Sequence, residues 1–411
     1  MKFGVFYELQ LHRPWKEGDE HRMFKEALEQ IVLADKLGID HAWAVEHHFL
    51  DEYSHCSSPE VLLAAAAGQT KNIRLGHGIR QVIPNYNHPA RTAEGLGALD
   101  LVSDGRVDFG IGEGATRLEL GGFDIPARQK RAMAIEAAEQ IANMMVMTPY
   151  PGFEGEGFSM PCRNILPKPL QTPHPPMWMA CTNRDTIKIA ASLGIGALAF
   201  SFLDREEAKT WSDIYYDIIK SDECVPIGHS VNANIAIVSN FSLHHDREEA
   251  MRRGQLNFEF FAYALNALVA HDTVPGRTNL WDEYIAQHGS KTEELIASVK
   301  RARTYVSGIG TPEDLSSHIA EFEEAGVDQM IFLQQAGRNL HSEICESLEL
   351  FAAEVQPKFK AKQAEKAEKK SAELAPYIKA ALARKKFMKP LADDEVPVVK
   401  ASVKSAQIAG T

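Results

Sequence analysis

Eight times between residues 1 and 356, a short apolar, β-branched run gives way to a longer stretch of helical periodicity. That alternation restricts the chain to the α/β folds. Strands are predicted over 2–7, 41–46, 73–79, 107–111, 176–180, 197–200, 231–238 and 329–333. Helices are predicted over 20–37, 59–70, 89–102, 126–147, 185–193, 204–219 and 341–355, with one more opening at Thr311. The punctuation agrees with the periods. Phe24, Leu28, Ile31 and Val32 form one stripe that stops at Gly38, and Pro59 and Pro89 occupy first turns. Thr311-Pro312-Glu313-Asp314 has capping-box spacing ahead of Leu315, Ile319 and Phe322. Eight βα units is the count of a closed, TIM-like (β/α)8 barrel. An open doubly wound sheet accepts the same alternation but usually holds fewer units.

Two insertions and a tail interrupt the repeat. A proline- and glycine-rich excursion over 150–175 follows the fourth helix. A longer segment over about 240–310 follows the seventh strand and carries its own helical pattern over 248–269. Long connections in compact domains are usually lids or binding loops. The barrel is therefore assigned to 1–356 and a basic C-terminal extension to 357–411. That extension carries 13 Lys and Arg against six acids, whereas the whole chain has a net charge of -12, so the body is strongly acidic. The tail is expected to form a surface helix over 365–386 and then to fray or wrap a partner subunit. An acidic body argues against nucleic acid as a partner. No run of 18 apolar residues and no export-signal pattern are present, and five dispersed cysteines lack a C-x-x-C pair. A cytoplasmic protein with no membrane partner is expected.

In a (β/α)8 barrel the chemistry gathers at the C-terminal strand ends. Here these are Tyr7-Glu8, Glu46-His47-His48, Gly76-His77-Gly78-Ile79-Arg80, Gly112-Glu113-Gly114 and Cys181-Thr182-Asn183-Arg184. Histidine exchanges protons near neutrality, so Glu46-His47-His48 is either a proton-transfer group or an ordinary polar strand end. A metal site drawing on His47, His48, His77 and His88 is the rival, without H-E-x-x-H or H-x-H spacing to support it. Gly76, Gly78 and Gly112 remove side chains from two neighbouring strand ends, which either bends the barrel or admits a flat ring. Thr182 is placed as the cap of the next helix with Asp185 at the capping-box position. That helix start, with Arg184, is either a plain cap or a phosphate seat.

Five ordered motifs resemble the bacterial luciferase-like flavin monooxygenase family over about 1–359: W-A-V-E-H-H-F at 43–49, I-R-L-G-H-G-I at 73–79, N-H-P-A-R-T-A-E at 87–94, L-D-L-V-S-D-G-R-V-D-F-G-I-G-E-G at 99–114, and G-T-P-E-D-L with A-G-V-D-Q-M-I-F at 310–332. The resemblance implies a TIM-like barrel using reduced FMN (FMNH2) delivered by a separate NAD(P)H:flavin reductase. It further implies that O2 adds to the flavin as a peroxide that oxygenates a small, largely apolar compound of terpene, ketone or aldehyde type. His47 then matches the catalytic histidine, flanked by Glu46 and His48. Gly78-Ile79 falls where the family often has a non-proline cis peptide against the ring, with Gly76, His77 and Gly112 beside it. Thr182, Asn183 and Arg184 fall in the phosphate turn, and His88 and Arg91 in N-H-P-A-R. Two departures stand out: Gly112 and Glu113 replace a reactive cysteine and an arginine, and Cys181 replaces an acid. Light emission is thereby put in doubt. Arg252 and Arg253 of the lid are placed toward phosphate or substrate, and Phe258, Phe260, Phe261 and Tyr263 either line a pocket or pack the lid. The same resemblance leaves open a deazaflavin (F420) hydride-transfer enzyme and a non-catalytic flavin-binding subunit. It also implies a homodimer.

Overall fold

The computed structural model describes residues 1–200, 202–288 and 308–400. Eight parallel strands carry the fold: β1 (Lys2–Tyr7), β2 (His41–Ala44), β3 (Arg74–His77), β4 (Val107–Gly112), β5 (Met177–Cys181), β6 (Gly196–Ala199), β7 (Ile235–Ser239) and β8 (Gln329–Gln334). Each pairs with its neighbours in chain order, and β1 pairs with β8, so the sheet closes and leaves no edge. Closure excludes the doubly wound alternative. Around it run α1 (Asp19–Lys36), α2 (Pro59–Ala67), α3 (Pro89–Val102), the short α4 (Arg117–Gly122), α5 (Lys130–Val146), α6 (Arg184–Ser192) and α7 (Arg205–Ile219). The insertion after β7 contributes α8 (Arg247–Ala270) and α9 (Leu280–His288). Then come α10 (Pro312–Glu324) and α11 (His341–Glu354). Part of the predicted insertion, 289–307, and the chain end, 401–411, lie outside the described residues.

Several boundaries differ from the predicted ones for physical reasons. β3 ends at His77, the Gly78–Ile79 peptide that follows is cis, and Arg80–Gln81 then pairs with the end of β4. The excursion over 150–175 contains a hairpin, Tyr150–Glu154 against Ser159–Arg163. The helix predicted over 126–147 starts only at Lys130. The helix start at Thr311 is as expected: Thr311 and Asp314 cap each other's backbone amides.

The barrel interior is filled by pairing tryptophan with glycine across strands. Trp43 lies in register with Gly76, and a Cβ on Gly76 would sit 2.2 Å from the Trp43 ring. Trp178 and Gly196 repeat the arrangement at 2.3 Å. The two indoles meet edge to face with centroids 5.5 Å apart. Each glycine therefore provides the volume that a buried indole needs in a tightly packed barrel.

The basic tail packs back on its own barrel instead of projecting as a solvated or partner-wrapping segment. It forms α12 (Gln356–Lys360) and α13 (Gln363–Arg384). Its cations meet acids at the N-terminal strand ends: Lys360 Nζ lies 2.9 Å from Asp40, just before β2, and Lys370 Nζ 2.5 Å from Asp328, just before β8. Lys385 is almost fully buried and donates to the Ile227 carbonyl at 2.8 Å and to Glu139 at 3.0 Å. The charge asymmetry of the sequence is thus an intramolecular attraction across one end of the barrel.

Candidate active site

At the opposite end, β1 and β2 deliver Glu8 and His47 to one spot, and α4 delivers Glu119. The carboxylate of Glu119 is fully buried and accepts from three groups: His47 Nδ1 at 3.0 Å, the His48 amide at 3.1 Å and the Thr116 hydroxyl at 2.8 Å. A carboxylate can only accept, so His47 Nδ1 carries the proton in that bond and Nε2 is the nitrogen left to exchange one. Nε2 lies 3.8 Å from Glu8 Oε2, while Tyr53 donates its hydroxyl to Glu8 Oε1 at 2.9 Å. Burial opposes a charge on His47, but the Glu119 hydrogen bond and the charges of Glu8, Glu119 and Glu46 outweigh it, and its pKa stands above 6.5. Burial works on Glu119 as well. The His47 bond and charge, with the Thr116 and His48 donors, still hold that carboxyl below its ordinary range.

Glu46 and His48, expected beside His47 in the chemistry, are committed to holding the loop. The buried Glu46 carboxylate accepts from Asn87 Nδ2 at 2.7 Å, the Gln81 amide at 3.0 Å and His48 Nε2 at 3.1 Å, with Arg80 at 3.7 Å. The His48 ring stacks on Tyr86 and meets Phe123 edge on.

The glycines also differ from expectation. The ring that Gly76 admits is the protein's own Trp43, and Gly112 leaves room for Ile79, whose Cδ1 would lie 2.1 Å from a Cβ there. What stays half-exposed at the mouth is the cis Gly78–Ile79 peptide itself. His77 is buried in the wall, edge on to Phe109, and reaches no open site. Burial, aided by Arg80, lowers its pKa to about 3. His229 and His318 are likewise lowered by burial to about 4. Groups whose folded pKa lies below the unfolded value contribute stability above pH 6.5 and lose it as pH falls through the folded value. The melting temperature should therefore drop between pH 6.5 and about 4, the buried His77 and His318 each adding up to about 1.4 kcal/mol per pH unit and the partly exposed His229 less. In thermal melts His77→Leu should flatten that slope; an unchanged slope would show that His77 does not titrate there.

The predicted phosphate turn is rearranged as well. Asn183, not Thr182, caps α6, and Thr186, not Asp185, completes the capping box. Thr182 and Asn183 are exposed, and the first amides of α6 have no intrahelical acceptor. Arg184 is drawn away into a fork with Glu207 at 2.7 and 2.5 Å. Cys181 is fully buried and its thiol donates to the Thr186 carbonyl, so it cannot face a ligand; burial lifts its pKa to about 12. His88 caps α3, accepting from the Ala90 amide at 3.2 Å, and Arg91 pairs with Glu94. In the insertion after β7, Arg252 and Arg253 are engaged by Glu249, Glu343 and Glu346. Of its aromatics, Phe260 packs on Trp281 and Tyr284, whereas Phe258 and Phe261 meet Phe202. No group of three or more His, Cys, Asp or Glu among the described residues is placed to hold a metal ion.

Sequence reasoning missed Tyr53, Thr116, Glu119 and Arg131. Thr116-x-x-Glu119 had a visible capping-box signal: Thr116 caps α4 and accepts from the Glu119 amide. Arg131 forks onto Glu113 and also feels the charge of Asp185, which places a guanidinium by the α6 turn.

A parallel barrel with an oriented histidine–carboxylate pair at its C-terminal mouth has the layout of a TIM-barrel enzyme. Its sequence matches the luciferase-like monooxygenase family model over residues 1–329, and the chain belongs to that family. It is 24% identical over 372 residues to the oxygenase component of the flavin-dependent trigonelline monooxygenase of Acinetobacter baylyi (strain ATCC 33305 / BD413 / ADP1), covering 87% of this chain and 96% of that one. Among solved structures it is similar to monooxygenase RslO1 from Streptomyces bottropensis, with TM-score 0.70 and 26% identity over 87% of this chain and all of the other. Two more share the fold. One is the oxygenating constituent of 3,6-diketocamphane monooxygenase from Pseudomonas putida in complex with FMN, with TM-score 0.67 and 21% identity over 87% of this chain and 98% of that one. The other is the F420-dependent tetrahydromethanopterin reductase of Methanopyrus kandleri, with TM-score 0.59 and 20% identity over 87% and 99%.

Proposed function

We propose that this chain is the oxygenase component of a two-component, FMNH2-dependent monooxygenase acting on a small, largely apolar organic substrate with O2. The observation that carries this reading is the His47–Glu119 bond, which fixes one imidazole tautomer and frees Nε2 at the end of the barrel where the Gly78–Ile79 peptide is half-exposed. The residues present suit the cofactor. The half-exposed Gly78–Ile79 backbone lies at the mouth, and the exposed start of α6, whose Arg184 and Asp185 amides have no intrahelical acceptor, would seat its phosphate, with the Glu113-paired Arg131 close by. Reduced FMN, loaded by a separate NAD(P)H:flavin reductase, supplies the reducing equivalents that activate O2. His47 holds or moves a proton at Nε2.

Aromatic rings define the substrate side. Tyr53 contacts His47 with centroids 5.4 Å apart and Phe261 at 5.5 Å. Phe261 leads through Phe202 to Phe200 and on to Phe6 inside the barrel mouth. Tyr53, Phe261 and Phe6 are themselves buried, so this ring cluster backs the His47 side of the mouth with apolar packing, which suits an apolar ligand. A homodimer is part of the same proposal. Leu101 and Val102 at the end of α3 are exposed, as is Leu170 packed beside Gly105, and exposed apolar residues gathered in this way suit a subunit contact. A single-chain mass in sedimentation would dismiss it. No helix among the described residues is long and apolar enough to cross a membrane, and all five cysteines are free, which suits a cytoplasmic setting.

The test is turnover with FMNH2 from a reductase, 18O2 and a panel of terpenes, ketones and aldehydes. Expected is a product carrying one 18O atom. Tight F420 binding with no affinity for FMNH2 would overturn the reading in favour of hydride transfer, and activity only after a second subunit is added would reduce the chain to a partner.

A further inference from the structure

Glu8 sits at the end of β1 with only 1% of its surface exposed. A carboxyl group in that position normally needs partners for both oxygens. Oε1 has the Tyr53 hydroxyl, but Oε2 has no hydrogen-bond partner. His47 Nε2, the nitrogen that Glu119 leaves available for exchange, lies 3.8 Å from Oε2.

We propose that Glu8 and His47 share one mobile proton, held alternately as O–H on Glu8 Oε2 and as N–H on His47 Nε2, so that Glu8 acts as a positioning and proton-storing residue behind His47. In one state the carboxylic acid donates toward a neutral Nε2; in the other the imidazolium donates toward a carboxylate. No bond other than these two changes, and no external reagent is consumed. The 3.8 Å gap is closed by a side-chain movement of about 1 Å or by one bridging water. Every titratable group facing the pair has a defined part. Glu119 from α4 pins Nδ1, and Tyr53 from the β2–α2 loop pins Oε1. Glu46 is saturated by its own donors, and Cys56 is buried behind them.

The electrostatics agree with the geometry. Burial raises the Glu8 pKa to about 7 against the lowering effects of His47 and the Tyr53 bond, and the carboxylates around His47 raise that of the imidazole, so both shifts favour keeping a proton on the pair. Groups coupled in this way lose their protons in two steps that belong to the pair. The proposal rests on His47 being the proton-handling residue of the proposed reaction, but its test needs no flavin.

The experiment is an NMR titration of the purified full chain, with 15N-histidine and 13C-carboxyl glutamate labels, for wild type and Glu8→Gln. In wild type, His47 and one glutamate carboxyl should titrate with the same two midpoints. In Glu8→Gln the carboxyl signal should vanish and His47 should titrate once, at least about one pH unit lower, because a negative charge facing the imidazolium is gone. A single-step His47 curve with the same midpoint in both proteins would overturn the proposal. Should Glu8→Gln fail to fold by circular dichroism, Tyr53→Phe substitutes. Losing the donor on Oε1 should move the shared midpoints upward, and unmoved midpoints would equally overturn the idea. The 18O2 assay decides the monooxygenase reading separately, so the two failures are distinguishable.

Discussion

His47→Ala should lower the rate of FMNH2-dependent oxygenation by about 10²–10⁴-fold, the range over which a positioned acid–base group acts. The protein should still fold, because His47 is half-buried at the mouth and the Trp–Gly core lies beneath it. Glu119→Gln tests the same machinery from behind. It keeps the shape of the side chain but gives up the charge that holds Nδ1–H, and one amide cannot satisfy the His47, His48 and Thr116 donors as the carboxylate does. Its rate should fall as well, and its pH profile should move. The wild-type profile should bend above pH 6.5, since the carboxylates raise the His47 pKa, and in Glu119→Gln that bend should slide toward lower pH. Initial rates with the best substrate of the panel, measured across pH, provide the check. Unimpaired turnover by His47→Ala at saturating reduced flavin would remove His47 from the chemistry.

Removing the chain after Lys362 should destabilise the barrel by about 3–5 kcal/mol, the combined scale of losing a buried leucine and several charge-assisted hydrogen bonds. Leu374 and Ala381 are buried beneath α13, and Lys385 is 4% exposed with two acceptors. Arg384 forks onto the carbonyls of Ser221 and Cys224. Truncation also strips Asp328 of Lys370, leaving it the Tyr216 hydroxyl and the Ile235 amide. By contrast Lys366→Ala should change stability by under about 0.5 kcal/mol, because Lys366 is half-exposed and Glu323 keeps the N-terminal ammonium as a partner. Urea unfolding of the three proteins distinguishes a docked element from a loosely attached tail. Equal midpoints for the truncated and full chains would show that the tail contributes nothing.

How much of this was legible beforehand follows from the range of the forces involved. The order of strands and helices and the Thr311–Asp314 capping box depend on residues a few positions apart, and both are present as expected. The cap of α6 shows where local signals become ambiguous. Thr182 and Asn183 are both capping types, and it is the Asn183 side chain that accepts from the Thr186 amide at 3.0 Å, while the Thr186 hydroxyl accepts from the amides of both. A conspicuous arginine, Arg184, was claimed by Glu207, a residue 23 positions away.

The sequence by itself determined the repeat, its closure count and the family to which the motifs belong. All of these are written in local periodicity and short contiguous strings. Only the tertiary structure decided which side chain occupies each space that a glycine leaves. It likewise decided that Glu119 and Glu8 bracket His47 from two other elements, and that the basic tail neutralises Asp40 and Asp328 of its own barrel. Those outcomes depend on volume and charge meeting across strands far apart in the chain. Such contacts exist only once the sheet has closed and brought its two ends into register.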